Sequence, residues 1–217
     1  MHAHDVDELV FTSTSTVYGE APCPTPEDYG PLEPISVYGA SKLASEGILS
    51  TYAHTYGLTV RNVRFANVVG PRSRGAVIPD FIEKILADPS VLTILGNGHQ
   101  EKSYLHVSDC VEAVHHVWKH AHDRLETFNV GTMSTTSVDR IAEIVCDELG
   151  VDPSISYTGG KQGWAGDVPR MHLSIEKIRD TGWEPSFSSD EAVLRAAKSL
   201  VQELEAASRE RHRQELV

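Results

Sequence analysis

An α/β architecture built on a largely parallel sheet is what this sequence predicts, and two observations carry that expectation. Short apolar runs that read as buried strands alternate along the chain with patterns of three-and-four spacing that read as helices. The composition agrees: 217 residues, 40% apolar and 23% charged, suffice for one sizeable core or two small lobes and exclude wholesale disorder. With 31 acidic against 19 basic residues the formal charge is −12, which argues against a nucleic-acid or anionic-membrane partner. No apolar window is long enough for a membrane span, and the start MHAHDVDELVF has neither the basic flank nor the apolar stretch of a signal peptide, so a cytoplasmic protein is expected. Cys23, Cys110 and Cys146 are odd in number and far apart, which suits neither a disulfide framework nor a zinc knuckle.

The run Leu9 to Thr14 reads as a buried strand, followed by a Pro-rich surface loop, APCPTPEDYGPLEP. Ser36 caps a helix that lasts until Gly57, with a buried stripe predicted at Ala40, Leu43, Ala44, Gly47 and Ile48. Val60, Val63 and Phe65 mark a second strand, and NVVGPRSRG reads as a turn segment. Pro79 suits the first turn of a short helix through Leu86, after which VLTIL and GNG suggest a strand and a tight turn. Ser108 is the expected cap of a helix burying Cys110, Val114, Val117, Trp118 and Ala121, followed by the strand TFNVG. A capped helix spans Ser137 to Gly150. Beyond the glycine-rich YTGGKQGWAGD comes a short helix ending at Gly182, and Ser188 with Glu191 forms the capping box of a terminal helix whose last dozen polar residues should fray.

Tyr38 and Lys42 are four apart and lie on one helix face. A phenol has a pKa of about 10 and a neighbouring ammonium favours the phenolate, so the pair is a means of making tyrosine an acid and base near neutrality. The pair alone is common on solvated helices. Its weight comes from TSTSTVYGE, which puts hydroxyls at the carboxyl end of a predicted parallel strand, where open α/β sheets bind ligands, so that Thr14 can bond the oxygen that Tyr38 deprotonates. Taken alone, that Ser/Thr cluster reads more simply as hydroxyls satisfying turn backbone.

The ordered set FTSTSTVYG, YGASK, RFANVVGPR, KSYLHVSD, FNVG, GDVP and GWEP resembles the extended short-chain dehydrogenase/reductases, specifically the NAD-dependent epimerase/dehydratases of the UDP-glucose 4-epimerase type. The resemblance runs to about residue 200. It implies a partial Rossmann-type doubly wound parallel sheet from residues 1–70 and 104–132, a smaller α/β substrate lobe from 71–103 and 133–200, and a polar helical tail over 201–217. It implies that Tyr38 is the acid/base, that Lys42 binds the nicotinamide ribose and lowers the tyrosine pKa, that Thr14 stands in for the family's active-site hydroxyl, and that Phe65 lies beside the nicotinamide of NAD. For a nucleotide-sugar substrate, most simply a UDP-sugar, it implies Asn67 at the diphosphate, Val77 near the base, and Lys102 and Asp167 in the same site. Lys102 stands where the family more often has arginine, and Trp164 replaces another arginine, which leaves the sugar's identity open. The implied reaction is oxidation to a 4-keto sugar and re-reduction on its other face. Ser15 and Thr16 follow Thr14 where 4,6-dehydratases carry an Asp-Glu pair, so no dehydratase activity is expected.

The dinucleotide fingerprint Gly-x-x-Gly-x-x-Gly appears nowhere in these residues. Against the family, roughly a hundred residues forming the first half of the sheet are lacking, together with the pyrophosphate and adenosine sites. The NAD site is therefore expected to be incomplete, and the first strand to present a bare apolar edge that needs a complementing N-terminal fragment or a second copy of the chain. Two readings stand: a truncated epimerase, or a nucleotide-sugar-binding module or remnant without catalysis. Glu112, His116 and His120 share a helix face and could ligate a metal, but nothing fixes a third and fourth ligand, and the face reads more simply as a polar flank of the Val114, Val117, Trp118 stripe, so no metal is expected.

Overall fold

The computed structural model describes residues 4, 6–164 and 166–215, the side chains beyond 206 excepted. In chain order the elements are β1 (Glu8–Thr14), α1 (Val37–Tyr56), β2 (Thr59–Phe65), β3 (Asn67–Val69), α2 (Val77–Ala87), β4 (Val91–Ile94), β5 (Glu101–Lys102) and β6 (Tyr104–His106). They continue with α3 (Val107–His120), β7 (Leu125–Val130), β8 (Thr136–Ser137), α4 (Val138–Leu149), β9 (Ser154–Tyr157), β10 (Arg170–Met171), α5 (Glu176–Asp180) and α6 (Ser189–Glu215). The main sheet has the order β1-β2-β7 and is parallel throughout, with Leu9 opposite Val60 and Val63 opposite Phe128. β1 is an edge strand, as expected, and its Leu9, Val10 and Phe11 are only half-buried. The architecture is thus a partial Rossmann-type sheet beside a smaller α/β lobe.

Two large cores and a small third cluster, Ala53, Leu58 and Val60, organise the described residues. Around the main sheet, Val63, Phe65, Phe128 and Val130 pack against Ala113 and Val117 of α3 and against Met171, Ile175, Ile178 and Trp183. In the lobe, Phe81 and Ile82 of α2, Ile141 and Val145 of α4, and Ala192, Val193 and Ala196 of α6 close around β4. The capping signals are realised as read: Ser36 Oγ accepts from the Gly39 N–H, Ser137 Oγ from that of Arg140, and Gly57 and Gly150 end their helices in the left-handed region. The Ser188–Glu191 box forms reciprocally, each side chain accepting the other's backbone N–H at 3.3 and 2.8 Å. The fraying expected of the terminal dozen residues falls on side chains outside those described.

Three expectations are corrected. The stripe Ala40, Leu43, Ala44, Gly47 and Ile48 is not the buried face of α1: Gly39, Glu46 and Ala53 are buried, while Ala40, Ala44, Gly47 and Ile48 are exposed. Two of the inward positions go to residues without apolar side chains, because Gly39 allows close backbone approach and Glu46 finds a buried cation, so hydrophobic periodicity selects the wrong side. Asn67–Val69 is not a turn but β3, paired in parallel with β6. Helix α3 is capped by His106 rather than Ser108: His106 Nδ1 accepts from the Ser108 N–H, and Asp109 turns inward to accept the N–H groups of Ser186 and Phe187. Trp118 consequently lies on the exposed side, while Ala113 and Val117 are buried. The parallel partner of β4, β9, reads SISY in sequence, which is too polar to stand out as a strand.

Candidate active site

β1 ends at Thr14, which caps the 3-10 turn Ser15–Tyr18 by accepting from the Thr16 N–H at 3.2 Å. Thr14 is buried and Phe65, at the end of the neighbouring β2, is buried beside the sheet core. α1 begins against this turn. A Cβ added to Gly39 would come within 2.8 Å of the Thr16 carbonyl and 3.0 Å of Pro34 Cβ, so only glycine lets the first turn of α1 approach so closely. That contact brings Tyr38, 55% exposed, to the carboxyl end of β1. Lys42, one turn on, donates from Nζ to the Thr12 carbonyl at 2.7 Å, with Nζ 5.9 Å from the Tyr38 ring centroid and 4.9 Å from that of Phe11. An ammonium has three donors, so two remain for a ligand such as the hydroxyls of a ribose.

Behind this pair lies a buried polar network. Glu46, one turn beyond Lys42, accepts from Arg64 Nε at 3.0 Å and Nη2 at 2.7 Å, and from Ser13 Oγ. Arg64 Nη1 donates to the Tyr18 hydroxyl at 2.9 Å, and Tyr18 donates to Asn129 Oδ1 at 2.7 Å. Burial opposes the charge of Arg64, but the Glu46 carboxylate and the Tyr18 oxygen outweigh it and raise its pKa. Burial likewise raises the Tyr18 phenol, despite Arg64, so it remains a neutral donor. The network ties β1, α1, β2 and β7 together beneath Tyr38 and Lys42. Its sequence signal was available: Glu46 is four residues from Lys42, on the same helix face.

Beside the sheet lies a cavity of about 690 Å³, within the size range of ligand pockets. It gathers Asn67, Val77, Lys102 and Asp167, and Ser15 and Thr16 close one end, next to Thr14; Tyr38, Lys42 and Phe65 are not among its lining. Lys102 and Asp167 form an ion pair with side chains 18% and 6% exposed, and Asp167 Oδ2 also accepts the Gly163 N–H at 3.0 Å. Asn67 bonds the Tyr104 hydroxyl, whose pKa is raised chiefly by burial. Tyr104, Gln100 and Trp164 also line the space, and of these the sequence pointed only to position 164.

Away from this site, His116 and His120 stack at 4.0 Å, with His116 Nε2 at 2.9 Å from Thr181 Oγ1. Among the described residues no three His, Cys, Asp or Glu side chains group as a metal site. None of the helices described is long and apolar enough to cross a membrane.

A parallel sheet with hydroxyls at its strand ends, a Tyr-x-x-x-Lys helix and a largely apolar cavity alongside place the fold in the short-chain dehydrogenase/reductase class. Residues 1–131 match the NAD dependent epimerase/dehydratase family, and the chain belongs to that family. A putative UDP-glucose 4-epimerase of Methanocaldococcus jannaschii is 32% identical over 202 residues, covering 90% of this chain and 63% of its own length. A crystal structure of a UDP-galactose 4-epimerase superposes with a TM-score of 0.85 at 44% identity, over 94% of this chain and 66% of the other. The UDP-glucose 4-epimerase of Thermotoga maritima, solved with UDP-glucose, superposes with a TM-score of 0.82 at 31% identity, over 94% and 66% of the two chains. The chain thus spans about two thirds of the length of the proteins it matches.

Proposed function

We propose that this chain carries the acid/base centre and the nucleotide-sugar pocket of a UDP-sugar 4-epimerase. The observation that supports this is spatial: the 3-10 turn that directly follows Thr14 contributes Ser15 and Thr16 to the lining of the cavity that holds Asn67, Val77, Lys102 and Asp167. A UDP-sugar fills that cavity with its diphosphate toward Asn67 and Lys102, its base toward Val77, and its hexose toward Thr14 and Tyr38. Tyr38 takes the proton of the sugar hydroxyl and returns it after the 4-keto sugar has turned its other face. Thr14 Oγ1 bonds the same oxygen, and Lys42 holds positive charge near the phenol. NAD, when bound, accepts and returns the hydride. Of the residues that would hold it, Lys42 has donors to spare for the nicotinamide ribose and Phe65 flanks the strand end, so the set fits that half of the cofactor. The glycine fingerprint for the pyrophosphate is not among these residues.

In this reading the β1 edge and the outer face of α1 receive the rest of a cofactor-binding sheet, or a second copy of the chain. A non-catalytic nucleotide-sugar-binding module is the second reading, favoured by that same missing fingerprint. Tyr38→Phe tests the proposal. With the glycine-bearing half supplied as a separate fragment, conversion of UDP-glucose to UDP-galactose should fall by at least about a hundredfold while calorimetric affinity for UDP-glucose is unchanged; unaltered turnover would remove Tyr38 from the reaction.

A further inference from the structure

Trp164 is the residue in the cavity that fits neither the core nor the charge pattern of a phosphate site. Its side chain is 61% exposed, yet the backbone beneath it is fixed on both sides. The Gly163 N–H donates to Asp167 Oδ2 at 3.0 Å, the Asp167 N–H to the Trp164 carbonyl at 3.1 Å, and Gln162 Nε2 to the Asp167 carbonyl at 3.0 Å, while Lys102 clamps the other oxygen of Asp167. Gly166, at φ +92°, sets the direction of the turn: a Cβ there would lie 3.2 Å from the Ile35 carbonyl, 3.6 Å from Ser36 Cβ and 3.2 Å from the indole itself. The indole therefore stands beside the N-cap of α1, two residues from Tyr38, and so at the end of the cavity where the reacting sugar must lie.

Charge points the same way. Among the described lining residues Lys102 is the one basic side chain, and it is committed to Asp167; Asp80, paired with Lys84, and Glu83 add carboxylates along α2. The described lining thus offers an aromatic plane and no basic side chain free of an ion pair, and Lys42, outside the lining, is held on the Thr12 carbonyl beside the Tyr38 ring. The C–H face of a neutral pyranose fits an indole surface, whereas a sugar carboxylate would find no unpaired cation among the described lining residues.

Resting on the nucleotide-sugar reading, we infer that Trp164 is a specificity-determining residue that stacks on the hexose of the substrate and selects an uncharged hexose over a hexuronate. The full chain is titrated with UDP-glucose, UDP and UDP-glucuronic acid by calorimetry, with tryptophan emission followed in a Trp118→Phe background. UDP-glucose should quench or shift the Trp164 emission and bind about tenfold more tightly than UDP-glucuronic acid. Trp164→Ala should weaken UDP-glucose about tenfold and leave UDP unchanged, Trp164→Phe should retain most of the affinity, and unaltered emission from buried Trp183 certifies the fold. Equal binding of UDP-glucose by Trp164→Ala, or an equal loss of UDP, overturns the assignment while leaving the nucleotide-sugar reading intact. A wild-type chain that binds neither UDP nor UDP-glucose overturns both.

Discussion

The lobe and the main sheet are finished to different degrees. In the lobe, α2, α4 and α6 close on β4, and Phe81, Ile82, Ile141 and Ala196 are sealed from solvent. In the sheet, β1 ends the order β1-β2-β7 with its apolar residues half-buried, and α1 turns Val37, Ile48 and Tyr52 outward. Parallel sheets ordinarily have both faces covered and leave few long edges. The difference separates two places: the cavity is lined mostly by residues of the closed lobe, whereas Tyr38 and Lys42 sit on the helix whose outer face is exposed. Lys42 is held on β1 through the Thr12 carbonyl, and beneath it Glu46 and Arg64 tie α1 to β2.

The largest expected effect breaks that support. Glu46→Ala strands a buried guanidinium and should cost about 3–5 kcal/mol in urea unfolding, with much of the loss recovered in the double variant Glu46→Ala, Arg64→Met. A loss below about 1 kcal/mol would mean that the pair behaves like a surface ion pair. Next, the two regions can be probed with one chemistry: Ile82→Ala in the lobe should cost about 2–4 kcal/mol, and Ile48→Ala on the outer face of α1 less than about 0.5 kcal/mol. Equal costs would erase the contrast. The smallest effect is pH-dependent. Burial holds His106 and His116 below the ordinary histidine pKa of 6.5, so each contributes stability above that value that is lost as pH falls through its depressed pKa. The melting temperature should therefore drop on acidification below pH 6.5, and His116→Gln should make that drop shallower.

Most of the frame was legible because it is written in local rules. Ser36, Ser137 and Ser188 announce their helices through caps, Gly57 and Gly150 end theirs, and Leu9, Val60 and Phe128 mark the three sheet strands. The cavity was legible at Asn67, Val77, Lys102 and Asp167 through the ordered motifs rather than through periodicity. The inward face of α1 was not, since its slots are filled by a glycine and a glutamate whose partner, Arg64, is distant in sequence. Nor were β3, β6 and β9, whose short runs become strands only by pairing with distant segments. Trp164 was visible only as a departure, and its consequence depends on the turn that Asp167 holds.

The central proposal is that this chain binds a sugar nucleotide by itself and NAD only together with a glycine-bearing segment. Parallel calorimetric titrations of the chain with UDP-glucose and with NAD test it directly. The account predicts saturable UDP-glucose binding, in the micromolar range typical of enzyme substrates, and no measurable NAD binding without a glycine-bearing partner. Micromolar NAD binding by the chain alone, or no binding of UDP-glucose, would contradict it.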